Sequence, residues 1–248
     1  MSWILRALRR GILTTRYPAG PAEMPGRWRG VARAVPDAPA ASYERGAAVC
    51  LSRAIEPRGH DAVVFADRCF QCGHCAVVAP EAFVMTNEFE LAHTADPMLT
   101  QQLLAQRAAA FGRSVFIRHV DAGSDYSCDQ EVQALFNPFY DLNRLGIFLT
   151  ASPRHADMLL VTGAVTGAME EPLRRTFAAM PAPKLVVAVG SAASSGSIYA
   201  TDAIAGPVDR VVPVDVKVPG APPPPLSIMH GIWVALGRVG ARRAEPSA

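Results

Sequence analysis

The sequence lacks the features that mark several large protein classes. No uninterrupted apolar run approaches the roughly 18 to 20 residues that a membrane-spanning helix needs. The first residues mix arginines with apolar residues and offer no small-residue cleavage site, so a secretory signal is not indicated. Lysine and arginine number 24 against 22 acidic residues, so no surface for nucleic acid is expected. The run SAASSGS (191–197) lacks the lysine-bearing pattern of a phosphate-binding loop, and no nucleotide site is predicted.

Cysteine is scarce, and its spacing is informative. The chain of 248 residues contains five cysteines, three of them at C-x-x-C-x-x-C spacing within residues 69–75. In a chain without an export signal, this pattern indicates metal ligation rather than disulfides. We therefore expect a reducing, cytoplasmic setting.

The distribution of apolar residues divides the chain into three parts. Residues 2–14 have a helical period with flanking arginines, and residues 17–39 are rich in Pro, Gly and Arg. A cysteine-bearing region follows, and then a helical stretch at 96–110. After residue 112 strands (114–120, 156–165, 184–190, 210–216) alternate with helices (128–142, 167–179, 226–237), which predicts a parallel sheet with helices on both faces. We expect an α/β protein with an N-terminal helix and linker (1–39), a small α+β domain (40–112) and a parallel-sheet domain (113–248).

Four of the cysteines fit the ligand set of one [4Fe-4S] cluster. Two-cluster bacterial ferredoxins repeat C-x2-C-x2-C-x3-C-P, and the fourth cysteine of each copy binds the other cluster. The second copy is present here with Cys69, Cys72 and Cys75. Upstream, Cys50 in AVCLSRAI (48–55) occupies the fourth position of a first copy. The crossover therefore assembles one complete set of four thiolates.

The missing ligands of this repeat also form a set. Counting back from Cys50 by four, seven and ten residues gives three positions without cysteine, and the fourth position of the second copy lacks one too. These lost ligand positions are Ala40, Tyr43, Gly46 and Ala79. One cluster is predicted to be lost whole, and the other kept whole.

Two other interpretations of the cysteines remain open. Zinc favours two separated pairs of ligands over three cysteines at +3 and +6, and the thiols could also be idle. A [4Fe-4S] cluster, which takes four thiolates, fits the spacing better than either.

The N-terminal half resembles the two-cluster ferredoxin-like subunit of complex I and of formate hydrogenlyase-type membrane hydrogenases. The resemblance rests on LRRGILTTRYP (8–18), on the cluster motif and on NEFELA (87–92), and it covers residues 1–92. It implies a ferredoxin-like fold around the cluster. It also implies that the first helix lies against a membrane arm.

The C-terminal half resembles the terminal-cluster small subunit of the same complexes, in its hydrogenase-type form. The matching stretches include NPFYDLNRLGI (137–147), SPRHADMLLVTGAVT (152–166) and VDVKVPGAPPPP (214–225). The resemblance implies a flavodoxin-like domain and a natural fusion of two subunits. The family's four cysteine positions hold Asp125, Cys128, Ala192 and Ala221 here, so we expect this cluster to be absent. We expect the loops at 123–129, 190–197 and 219–225 to converge nevertheless, with Tyr126 filling the space.

These resemblances imply an iron–sulfur electron-transfer subunit of a membrane-bound complex I-like or formate hydrogenlyase-like oxidoreductase, without a catalytic site of its own. The implied partners are a hydrogenase-type large subunit and membrane-embedded antiporter-like subunits. The implied location is peripheral, on the cytoplasmic face of the inner membrane. The alternative is a mainly structural docking subunit whose remaining cluster is not part of a relay, because two of three centres are gone.

Overall fold

The structure, a computed structural model, describes residues 3–196, 198 and 201–240. Ser2, Ser197 and residues 241–248 belong to segments discussed above but lie outside the described residues. The helices are α1 (Trp3–Arg10), α2 (Ala40–Ala48), α3 (His74–Val78), α4 (Gln101–Ala108), α5 (Ser127–Ala134), α6 (Gly167–Ala179), α7 (Ser191–Ser195) and α8 (Pro225–Ala235).

The strands are short outside the central sheet. They are β1 (Ala32–Ala34), β2 (Ile55–Arg58), β3 (Asp61–Val64), β4 (Phe83–Met85), β5 (His93–Thr94), β6 (Val115–Asp121), β7 (Ile147–Leu149), β8 (Met158–Thr162), β9 (Val165–Thr166), β10 (Leu185–Val189), β11 (Ile204–Gly206) and β12 (Val216–Val218). Short 3-10 turns connect several of these elements, among them Ala66–Arg68 before the cysteine motif and Val208–Arg210 before β12.

The C-terminal part is built on a six-stranded sheet with the order β5-β12-β10-β8-β6-β7. The last five strands in this order are parallel, and β5 is antiparallel to β12. Counted along the chain, the parallel strands have the order 2-1-3-4-5, which is that of flavodoxin-like sheets. The predicted α/β class with a flavodoxin-like domain is confirmed.

Burial explains why these segments form central strands. Every residue of β8 and β10 is buried, as expected for parallel strands covered on both faces. One face packs against α8 through Ile228, Met229 and Ile232. The other face packs against α6 through Leu173. Two apolar cores therefore sandwich the sheet.

Three predicted elements have different boundaries in the structure. The strand predicted at 210–216 begins only at Val216, because Pro213 has no N–H for a sheet ladder. The helix predicted at 128–142 ends at Ala134, before a proline at 138 that disfavours helix in the residue preceding it. Helix α1 ends at Arg10, because Gly11 takes the left-handed conformation (φ 66°) that stops helices.

The cysteine-bearing part forms a small unit with its own core. Strand β1 pairs with β4 and β2 with β3, both antiparallel, and α2 and α3 pack beside these pairs. Buried side chains of this unit include Val31, Ile55, Val64 and Phe83. The unit is joined to the sheet domain because β5 extends the large sheet.

The segment before the small unit is anchored to the sheet domain, whereas α1 is exposed. The Thr15 N–H donates to Phe139 O (2.7 Å), and Thr14 Oγ1 donates to Pro138 O (3.0 Å). In α1, by contrast, Trp3 and Leu8 are about four-fifths and three-quarters exposed. Within the described residues, no helix has the length and apolar character needed to cross a bilayer.

Candidate metal centre

The four predicted cluster ligands surround one cavity in the small unit. Cys50 lies in the turn after α2, Cys69 ends the 3-10 turn, Cys72 is in the following loop, and Cys75 is in the first turn of α3. All four line the same pocket, together with apolar side chains from β1 to β4. Cys69 and Cys75 are buried, Cys50 is half-buried and Cys72 is exposed. The structure thus brings together the residues that the repeat pattern selected.

Two left-handed residues allow the loop to wrap around this cavity. Gln71 has φ 57° and Gly73 has φ 81°. A Cβ atom at Gly73 would also stand 3.0 Å from Arg29 Nη1, so glycine is favoured there by both conformation and space. A non-glycine residue at positive φ costs free energy and persists only where the surroundings hold it. Gln71 is such a residue, between two of the ligands.

Backbone amides point at three of the four sulfurs. The Ala54 N–H donates to Cys50 Sγ (3.2 Å). The backbone amides of Ala32 and Gln71 act to lower the pKa of the Cys69 thiol, and that of Ala76 acts to lower the pKa of the Cys75 thiol. Hydrogen bonds of this kind stabilise thiolate sulfur and tune iron–sulfur clusters. The donor set and its surroundings therefore fit a [4Fe-4S] cluster.

Burial makes these thiols reluctant to ionise without a metal. It raises the pKa of Cys69, although the two backbone N–H groups oppose it. Burial also raises the pKa of Cys75 to about 11, and the charges of the other three cysteines add to the effect. Iron would have to displace these protons, so binding would release protons.

The thiols around the cavity do not converge as the ligands of a single metal ion. In the described part of the chain, no three His, Cys, Asp or Glu side chains converge closely enough to hold one metal ion. A zinc ion needs its ligands on a single centre. A cubane takes each thiolate on a different iron, so its sulfurs stand farther apart.

The lost ligand positions of the first repeat do not form a second site. Ala40, Tyr43 and Gly46 lie on α2, and Ala79 follows α3. Tyr43 and Ala79 are buried completely, and the ring of Tyr43 meets that of Phe83 edge-on at 5.9 Å between centroids. A packed aromatic pair thus lies among these positions.

Hydrogen bonds and close packing fix this aromatic pair. The Tyr43 hydroxyl donates to Val35 O and accepts from the Ala38 N–H (3.1 Å). A Cβ atom at Gly46 would stand only 2.1 Å from the Phe83 ring. Glycine at this position, one of the predicted lost ligand positions, is therefore required by the Phe83 ring beside it.

The corresponding positions of the second half also offer no complete ligand set. Asp125 is exposed, and its Oδ1 accepts from the Ser127 N–H (3.0 Å) and hydroxyl (2.5 Å), bonds that lower the pKa of Asp125. Ala192 is half-buried and Ala221 exposed. Cys128 is buried against Gly190, where an added Cβ would stand 2.7 Å from its Sγ. Burial raises the pKa of Cys128 to about 12, so this thiol is protonated near neutral pH.

The three loops around these positions converge, as predicted. The Ser191 N–H donates to Gly220 O (2.7 Å), and Cys128 reaches the same place from α5. The prediction that Tyr126 closes the gap is wrong. Tyr126 has φ 69° and is half exposed, and its hydroxyl accepts from Gln133 Nε2 (2.9 Å). The buried thiol of Cys128 packs there instead.

Sequence reasoning missed two groups that connect the small unit to the sheet domain. The first is Ser191, whose Oγ donates to Cys69 O (2.9 Å). Its only signal was its place in the SAASSGS run. The second is Asp67, which lies 2.7 Å from His93 Nε2 and 3.9 Å from Lys217 Nζ. Burial alone would raise the pKa of Asp67, but the hydrogen bond with His93 and the electrostatic effects of His93, Lys217 and Arg68 outweigh it and hold that pKa below its ordinary value.

Comparison with known proteins locates relatives of the chain. Residues 126–235 match the family described as NADH ubiquinone oxidoreductase, 20 Kd subunit. A protein of Pyrococcus furiosus named probable membrane-bound hydrogenase subunit mbhJ is 43% identical over 140 residues, which are 56% of this chain and 84% of that protein. Formate hydrogenlyase subunit 7 of Escherichia coli is 39% identical over 146 residues, 57% of each chain. A solved structure of the archaeal membrane-bound sulfane sulfur reductase matches 54% of this chain and 77% of its own, with 30% identity and a TM-score of 0.45.

Proposed function

The chain belongs to the family of the 20 kDa subunit of NADH ubiquinone oxidoreductase, and we propose that it is an iron–sulfur electron-transfer subunit of a membrane-bound complex. The complex would be related to complex I and to the hydrogenase and formate hydrogenlyase assemblies named for its relatives. The proposal rests chiefly on one observation, which is that Cys50, Cys69, Cys72 and Cys75 line a single cavity.

The chain's own residues have distinct roles in this proposal. A bound [4Fe-4S] cluster would supply reversible one-electron chemistry. Cys50, Cys69, Cys72 and Cys75 would hold it, with the backbone N–H groups described above directed at three of these sulfurs. The apolar walls from β1 to β4 exclude water from most of the site. Cys72 alone is exposed, so the edge at Cys72 is the side from which an electron would enter or leave.

The proposed organisation has two fused parts. Residues 40–112 would be a ferredoxin-like domain with one cluster, following the helix and linker of residues 1–39. Residues 113–248 would be the small-subunit domain without its cluster. The proposed partners are a hydrogenase-type large subunit and antiporter-like membrane subunits, on the cytoplasmic face of the inner membrane. The exposed apolar side chains of α1, with Arg6, Arg9 and Arg10 beside them, support contact with such a membrane module.

Iron content tests the cluster directly. The full chain, purified without oxygen, should contain about four irons and four acid-labile sulfides, because one cubane holds four of each. Cys72→Ala should abolish the cluster and destabilise residues 40–92, because cluster binding supplies folding energy to so small a unit. Cys128→Ala is the matched control and should leave the iron content unchanged. About eight irons, or none, in the unaltered chain would contradict the proposal.

A second candidate function is that of a structural docking subunit, and the filled ligand positions favour it. Tyr43 with Phe83, and Cys128 with Gly190, occupy places where the family's further ligands would be expected. Electron transfer over distance needs closely spaced centres, and this chain would supply only one. Freeze-quenched EPR of the assembled complex during turnover distinguishes the two functions. A cluster that never changes oxidation state would favour the docking function.

The membrane contact can be tested separately from the cluster. Deleting residues 1–10 leaves the Thr14 and Thr15 anchors in place, so the remaining chain should keep its fold. We expect the truncated chain to leave the membrane fraction of cells that contain its partners. Unchanged membrane association would exclude α1 as the contact.

A further inference from the structure

We infer that Ser191 is a positioning residue for the retained cluster site, although it lies more than a hundred residues from the ligands in sequence. Its hydroxyl would fix the conformation of the loop that carries Cys69. The inference rests on the proposed function, because it concerns how the sheet domain supports a [4Fe-4S] cluster held by the small unit.

The hydrogen bonds of Ser191 join three segments in a buried place. Its Oγ donates to Cys69 O (2.9 Å) and accepts from the Gly220 N–H (3.0 Å). Its own N–H donates to Gly220 O (2.7 Å). Ser191 is completely buried. This hydroxyl uses its single donor and one of its two acceptor positions, and its loss would leave the Cys69 carbonyl without this partner in a buried site.

The Cys69 carbonyl lies close in sequence to a residue with a strained backbone, Gln71. Two residues after Cys69 is Gln71, which has a left-handed backbone conformation (φ 57°). A residue other than glycine keeps this conformation only where its surroundings hold it. The backbone amide of Gln71 in turn acts to lower the pKa of the Cys69 thiol, against the effect of burial. A hydrogen bond that holds the Cys69 carbonyl therefore also restrains the segment whose N–H interacts with a ligand sulfur. N–H···S bonds favour the more negative, reduced cluster.

Ser191 and its partner Gly220 lie in the loops where the second half's own cluster ligands are missing. Ser191 and Gly220 immediately precede Ala192 and Ala221, two of the positions at which the family's own ligands are missing. These loops converge, but the described residues there include only one thiol, that of Cys128. Through Ser191 they support the neighbouring site in the small unit instead.

The test compares two serines of the same short helix. Ser191→Ala removes the hydroxyl that reaches Cys69. Ser194→Ala is the matched control, because Ser194 is also buried and its Oγ has no partner among the described residues. The full chain is purified without oxygen, its midpoint potential is measured by EPR-monitored redox titration, and the release of iron to a chelator is timed.

The expected result is specific to Ser191. Ser191→Ala should lower the midpoint potential and release iron roughly tenfold faster, as expected when a buried carbonyl loses its donor. Ser194→Ala should match the unaltered chain in both measurements. If Ser191→Ala does not fold, Ser191→Cys replaces it, because a thiol of similar size is a weak donor, and the same two shifts are expected.

The possible failures are distinguishable. An unaltered chain without iron overturns the proposed function, and the positioning role with it. An unaltered chain with about four irons, together with unchanged potential and iron release in the folded Ser191 variant, overturns only the positioning role. Equal shifts in the Ser191 and Ser194 variants also overturn it, because the effect would then belong to the helix and not to the hydrogen bond.

Discussion

Replacing Gly46 by alanine tests whether an aromatic side chain has taken the space of a lost cluster. Alanine is favoured over glycine inside a helix by about 1 kcal/mol, so α2 by itself would gain stability. The added Cβ would stand 2.1 Å from one atom of the Phe83 ring and 2.7 Å from another. Because Phe83 is 1% exposed, the ring has no free space into which to move. Overpacking of this kind costs about 1 to 3 kcal/mol, and expelling the ring would cost about 3 to 5 kcal/mol.

We therefore expect Gly46→Ala to lower the free energy of unfolding by up to about 2 kcal/mol, which is the steric cost of about 1 to 3 kcal/mol less the gain of about 1 kcal/mol in helix propensity. Urea unfolding followed by far-UV circular dichroism measures the change. Gly167→Ala is the matched control, because its Cβ would meet only Ala203 O at 3.7 Å, an ordinary contact. Combining Gly46→Ala with Phe83→Leu should restore part of the loss, as a coupling free energy in a double-mutant cycle. A Gly46→Ala chain at least as stable as the unaltered one would refute the filled-site interpretation.

Two further predictions concern buried polar groups. Tyr43→Phe removes a hydroxyl that serves two backbone groups, so we expect a loss of about 1 to 3 kcal/mol in the free energy of unfolding, whereas Tyr126→Phe, at an exposed position, should change it by less than about 0.5 kcal/mol. His230 accepts the Ala92 N–H through Nδ1 (3.3 Å) while burial lowers its pKa below the ordinary value of 6.5. Protonation therefore favours the unfolded chain, and stability should fall as the pH drops from about 7 to about 5, less steeply in His230→Asn.

Unfolding measurements on the Tyr43 and His230 variants can contradict these two predictions. Equal stability of the Tyr43 variant and the unaltered chain would mean that the buried hydroxyl contributes nothing. For His230 the decisive quantity is the difference in slope between the two chains, measured by chemical unfolding at several pH values. Burial also lowers the pKa of His119, so some acid sensitivity is expected in both. Identical slopes would exclude His230 as a contributor.

The sequence was most informative where the chemistry is local or periodic. The crossover rule of the repeated motif selected four cysteines that line one cavity, because ligand spacing is set by the motif itself. Alternating apolar runs likewise predicted the parallel sheet, because strands buried on both faces must be apolar throughout. Both signals are contained in short stretches of chain.

The features that sequence reasoning missed depend on contacts between distant segments. Whether a position without its ligand becomes a void or a packed core depends on its neighbours, and nothing near Tyr43 in sequence indicates Phe83. Ser191 gains its role only because the fold brings it to Cys69. The misplaced strand at 210–216 shows a similar limit, since its valines are buried in the core without belonging to a strand until Val216.

The shared strand β5 has a consequence for how the chain can be divided. His93 and Thr94 cover the outer edge of β12, and an uncovered strand edge is a template for pairing with other chains. A protein starting at residue 113 would lack this cover, and it would also lack Leu104, which is fully buried in the core beneath the sheet. Residues before the proposed fusion junction therefore help to protect the sheet domain against aggregation.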